Sequence, residues 1–210
     1  MTSFAFYAAG TAYAPLKSMQ RLLAEPRPLL ASARAVGFVG VLYALTSIVL
    51  ALMGAVPLAP VFIGLRPENY YVWQMIFVIP CILLAWGLAT AVILGPRKRW
   101  RGRAAVEKTL ALTGVALAGS LFIAWVPTAI ETVFMVIGMG QVELVELLSR
   151  PGGWQVLYVG LYILAGMAAA VLLTLAAGQG CLPKAGPGRT GAAGIAAAVL
   201  AALVFTVFIR

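Results

Sequence analysis

Glu131 is an ionisable side chain set in an otherwise apolar run that extends from Thr109 to about Met139. Hydrocarbon penalises charge, so an ionisable group at membrane depth marks a site for ion or proton handling by default. Its place along the run bears on that reading. Glu131 follows Thr109 by about 22 residues, roughly 33 Å of helix at about 1.5 Å each. That length already crosses a hydrocarbon core of about 30 Å, and Pro127 would kink the helix just before it. Two readings therefore stand: a carboxylate among the outer headgroups, which the distance favours, and a carboxylate that binds or moves a cation. A second polar group, Glu68, Asn69, Tyr70 and Gln74, precedes another apolar run. Gln74 lies four positions after Tyr70 and shares its helical face. Together with Glu131, Glu143 and Glu146 these residues could supply oxygen ligands to a cation. None of their spacings is that of a calcium loop, and ordinary headgroup contacts are the weightier alternative.

Other chemistry is excluded more simply. The chain has no His and no Asp, which removes His-ligated haem, the usual catalytic zinc sites and Ser-His-Asp catalysis. Neither a nucleophile–base pair nor a metal-ligand cluster is visible, so no enzyme activity and no cofactor are expected. Cys81 sits in an apolar run and Cys181 in a Gly/Pro-rich loop. They fall at different depths and read as free thiols.

These residues need elements to hold them, and composition names the elements. Of 210 residues, 63% are hydrophobic and 10% charged, with a mean hydropathy of +1.01. A soluble domain carries about 25% charged residues. The expected fold is therefore an all-α integral membrane protein: a five-helix transmembrane bundle with short interfacial helices. The expected spans are about 35–56, 70–94, 109–131, 154–177 and 191–209, preceded by an interfacial N-terminal segment, 1–34. The backbone must be helical in each, because lipid offers no partner to an open amide.

Charge sets the expected orientation. Lys17, Arg21, Arg27 and Arg34 precede the first span; Arg97, Lys98, Arg99, Arg101, Arg103 and Lys108 follow the second; Lys184 and Arg189 follow the fourth. Those twelve fall on one side, against Arg66, Arg150 and Arg210 on the other. Short basic loops stay in the cytoplasm, so the expectation is an inner-membrane protein with its N-terminus cytoplasmic and its C-terminus outside. Trp73 and Trp154 then fall at outer span ends. The net charge of +9 reads as this anchoring rather than as a nucleic-acid surface. Arg97, Lys98, Arg99, Arg101 and Arg103 are the candidate contacts for anionic lipid.

Smaller features complete the expected architecture. Residues 1–14 are fairly apolar, but no positive charge precedes them, so they do not read as a signal peptide and should be retained. Pro15 to Ala24 should form an interfacial helix with Leu16, Met19, Leu22 and Leu23 on one face. Gln141 to Ser149 should form another, with Val142, Val145 and Leu148 as its stripe. The Pro-rich connection from Pro57 to Asn69 should dip into the outer interface. Pro80 reads as a kink in the second span, with a gating hinge as the minority reading. Trp86 and Trp125 read as packing residues. Gly194, Ala198 and Ala202 recur four apart, a spacing that lets helices approach closely. It serves packing within the bundle or, as the sharper alternative, a homodimer or partner face.

The chain also resembles the Yip-domain family, five-span membrane proteins named for interaction with Ypt/Rab GTPases, and in particular its bacterial members. The resemblance covers roughly residues 15–209. It rests on Leu22-Leu23-Ala24-Glu25-Pro26-Arg27-Pro28 before the first span and on Glu68-Asn69-Tyr70-Tyr71 leading into the second, which contains Pro80 and Trp86. It also rests on Arg101-Gly102-Arg103 through Leu110 before the third, and on Trp125-Val126-Pro127 within it. Eukaryotic relatives carry a longer N-terminal region with an Asp-Leu-Tyr-Gly-Pro motif, which this Asp-free chain lacks, so GTPase binding does not carry over. The resemblance implies a five-helix bundle that organises membranes or membrane complexes. The small-residue stripes and the scarcity of charge within the spans point the same way, and the expected function is a non-enzymatic scaffold or accessory subunit acting through helix–helix and lipid contacts. The alternative is a small-solute or ion transporter using Glu131.

Overall fold

A computed structural model describes residues 4–56, 66–95, 102–180 and 186–209. All regular structure among them is helical: α1 (Phe4–Tyr13), α2 (Pro15–Ala24), α3 (Pro28–Leu52), a 3-10 turn (Pro67–Asn69), α4 (Tyr70–Leu94), α5 (Gly102–Val136), α6 (Gln141–Ser149), α7 (Gly153–Gln179) and α8 (Pro187–Ile209). Five of these, α3, α4, α5, α7 and α8, are long and apolar enough to cross a membrane. The expected all-α membrane bundle is the observed one.

Local sequence explains the breaks. Pro15 and Pro28 open α2 and α3, where a missing N–H costs nothing and the fixed φ favours a helical turn. Gly95 ends α4 at a φ of 66°, in the left-handed region that residues with a Cβ avoid. Pro80 and Pro127 both lie inside continuous helices.

The long central helix is α5. Residues 111–120 are buried without exception, and 67% of its spanning window is covered, against 17% in α7. The covers are α3, α7, α1 and α4, while α8 packs on α4 and α7. Two side-chain clasps tie α4 to α5. Trp86 Nε1 donates to the Leu110 carbonyl at 2.9 Å, and the Thr90 and Thr113 hydroxyls meet at 2.6 Å. Opposite this ring, Gly114 leaves the room it needs: a Cβ there would stand 2.6 Å from the Trp86 indole.

The structure differs from the sequence reading at the N-terminal side. α3 begins at Pro28, not near residue 35, so Arg34 is an exposed residue of the helix itself. The core also runs across residue 34 without a break. Tyr7, Ala8, Met19 and Leu22 join the same cluster as Val36, Leu112 and Leu173. α1 and α2 form a helical hairpin in which Tyr7 Oη donates to Glu25 Oε1 at 2.7 Å and the Arg21 guanidinium lies 5.2 Å over the Phe6 ring. Thr11 packs against Gly119, about ten residues and roughly 15 Å beyond Thr109 along α5. The apolar composition of residues 4–13 is thus that of a packed helix.

The two short helices span the expected residues, Pro15–Ala24 and Gln141–Ser149, with different faces inward. Met19 and Leu22 of α2 are buried and Leu23 half-buried, but Leu16 is exposed. In α6 the inward pair is Leu144 and Leu148, four apart, while Val142 and Val145 face out. The reason is a satellite core of Leu50, Tyr70, Tyr71 and Met135 that α6 covers. Gln141 fixes the register by bonding both backbone groups of Val56, Nε2 to the carbonyl at 2.9 Å and Oε1 from the N–H at 3.3 Å. Most of the Pro57–Asn69 connection, including 57–65, lies outside the described residues.

Candidate functional site

α5 is long enough to carry Glu131 beyond the tightly packed middle of the bundle, into the last two turns before Val136. This end of the bundle, the α6 end, also holds α6 and the first turns of α4 and α7. Glu131 is nonetheless enclosed, 5% exposed, where the sequence favoured a carboxylate among headgroups. The enclosing partner comes from α7: the Tyr158 hydroxyl donates to Glu131 Oε1. Taking a carboxylate out of water costs several kcal/mol unless hydrogen bonds replace the hydration, and the phenol supplies one. The Tyr158 ring also makes an edge-to-face contact with Tyr162, ring centroids 5.2 Å apart.

The second expected group divides. Glu68 and Asn69 are exposed on the 3-10 turn. Tyr70 and Gln74 are buried on one face of α4, as their spacing predicts. The single Ser47 hydroxyl proton lies between two acceptors, the Tyr43 carbonyl at 2.7 Å and Gln74 Oε1 at 3.0 Å. Tyr43 Oη in turn donates to the Leu121 carbonyl at 3.3 Å, so this line of polar groups links α4, α3 and α5. Ser47, Tyr43 and Tyr158 carry no sequence signal that separates them from ordinary span residues. Only the packing reveals them.

At the rim, Glu143 Oε2 accepts from the Gly140 N–H at 3.2 Å, and Glu146 pairs with Arg150. Both glutamates are exposed and sit in local helix-end contacts. Among the described residues no three of His, Cys, Asp and Glu come together as metal ligands. Of the candidate lipid contacts, Arg103 is exposed at the start of α5, while Arg97, Lys98, Arg99 and Arg101 lie outside the described residues. Trp73 and Trp154 are exposed near the α6 ends of α4 and α7.

The small-residue stripe of α8 has two fates. Gly194 presses on α7 so closely that a Cβ would collide with the Thr174 backbone and hydroxyl. Farther along, Ala198 is buried and Ala202 exposed, and both line a cavity of about 430 Å³ between α4, α5, α7 and α8. Its floor includes Leu117 and Ser120 of α5, and Tyr162 borders it from α7.

Compared with family models, with curated proteins and with solved structures, the chain matches none of them.

Proposed function

We propose that this protein is a non-enzymatic membrane scaffold or accessory subunit that works through helix–helix and lipid contacts. The carrying observation is the imbalance of cover among the spans. α7 is a full-length apolar helix of which 17% of the spanning window is covered by the rest of the chain, against 67% in α5. Its outward face is apolar, with Val156, Ile163 and Met167 all exposed, and nothing stands within 4 Å of the position a Cβ would take on Gly160. Lipid tails are as apolar as these side chains, so association there is driven by close packing, which small residues permit. The same proposal places the protein in the inner membrane, N-terminus cytoplasmic and C-terminus outside. It takes the basic stretch 97–103 as an anionic-lipid contact and takes the Yip-domain resemblance as kinship. Co-purification after gentle detergent extraction, read by native mass spectrometry, tests it: a stable partner is expected, and a lone monomer counts against it. Reporter fusions at residue 100 and at the C-terminus should report opposite sides.

The burial of Glu131 favours a second reading, a transporter or channel in which the Glu131–Tyr158 pair binds a cation or proton. Glu131→Gln in proteoliposomes distinguishes the two. Loss of a cation or proton flux supports transport, and unchanged behaviour leaves the carboxylate structural.

A further inference from the structure

We propose that the cavity between α4, α5, α7 and α8 is a lateral site for one acyl chain of a membrane lipid, independent of any protein partner on α7. At about 430 Å³ it falls within the range of about 300–1,000 Å³ typical of ligand pockets. The void arises from side-chain size. α7 and α8 touch where Gly194 meets Thr174; beyond that contact the facing residues Ala165, Ala169, Ala198 and Ala201 stop at Cβ and leave the space unfilled.

Three observations choose the occupant. The mouth residues Gly166 and Ala202 are exposed. They are continuous with Met167 and Leu203, part of the outward apolar surface of two helices long enough to span a membrane. Where no partner chain covers that surface, as in vesicles that hold this chain alone, hydrocarbon does, and it has access to the cavity. The walls also suit water poorly: a buried water needs two to four polar partners, and the lining is mostly Ala, Leu, Ile and Phe, with Ser120, Tyr162 and Thr206 as its hydroxyl-bearing residues and the Ser120 hydroxyl already donating to the Leu117 carbonyl at 2.9 Å. Finally, an empty cavity forfeits the dispersion contacts of its lining. A chain leaving bulk lipid gains no hydrophobic energy, so the site selects by shape: a narrow, flexible methylene chain enters between Ala-lined walls, and a headgroup stays outside.

The test uses the full chain in phosphatidylcholine vesicles containing phosphatidylglycerol with a diazirine on one acyl chain, photolysed and mapped by peptide mass spectrometry. Labelling is expected to concentrate on the walls, at Ala165, Ala169 and Ala201. Ala201→Phe should lower wall labelling by about tenfold while labelling at Met167 on the outer surface stays unchanged. Ala169→Val, a smaller filling, should give a partial loss and keeps the test usable if Ala201→Phe does not fold. Equal labelling of walls and outer surface, unmoved by either substitution, overturns the proposal. So does a homodimer in native mass spectrometry that Ala201→Phe returns to monomer, which would place a second copy of the chain in the cavity.

Discussion

At the residue scale, two hydrogen-bonded pairs make opposite ends of the molecule testable. Tyr158 donates to the buried Glu131 side chain, and leaving a buried hydrogen-bond partner unsatisfied costs about 2 kcal/mol. Tyr158→Phe should therefore lower thermal stability in detergent by about that much. Glu131→Gln keeps an acceptor oxygen and should cost less; a larger loss for Gln than for Phe would contradict the pairing. In the N-terminal hairpin, burial and then the bond to the Glu25 carboxylate push the Tyr7 phenol up to about 12, from an ordinary 10.0. The folded chain thus holds this proton more tightly than the unfolded one. Its stabilising contribution is complete below pH 10 and is lost as pH rises from 10 to about 12. Tyr7→Phe should flatten that decline in a pH series of unfolding midpoints.

At the element scale, three glycines with the same helix propensity should respond in different ways. Gly114 faces Trp86 and Ser32, and Gly194 faces the α7 backbone at Thr174. Alanine at either forces neighbours apart, and overpacking of this kind costs about 1–3 kcal/mol. Gly194 should be the more severe, because backbone cannot swing aside as an indole can. Gly160 lies in α7 with nothing within 4 Å of its missing Cβ. There alanine should be neutral or stabilising by up to about 1 kcal/mol through helix propensity. Thermal unfolding of the three variants checks the ordering, and an equal loss at all three would refute the assignment of close and open faces.

At the scale of the whole molecule, α1 and α2 belong to the bundle. Thr11 fills the concavity at Gly119, and Tyr7, Met19 and Leu22 are almost wholly buried. Removing residues 1–14 should uncover α5 and α3 and lower the unfolding midpoint, with the five spans still inserting. A truncated chain as stable as the full one would mean that α1 merely rests on the surface.

The five spans, the two short helices and the facing of Tyr70 with Gln74 were legible in the sequence. Each follows from local rules: backbone must pair internally in lipid, helices start at Pro and stop at Gly, and residues four apart share a face. Which face turns inward is not a local property in such a chain. Apolar residues surround each span, so periodicity does not separate a side chain in the core from one in lipid. Tertiary packing alone decided that α5 is central and α7 exposed. It also decided that Leu144 and Leu148, not Val142 and Val145, anchor α6. It enclosed Glu131 with a tyrosine 27 positions away, and it made one α8 stripe a tight contact at Gly194 and a cavity wall at Ala198. Those outcomes depend on where neighbouring helices stand, and a run of apolar letters carries no record of its neighbours.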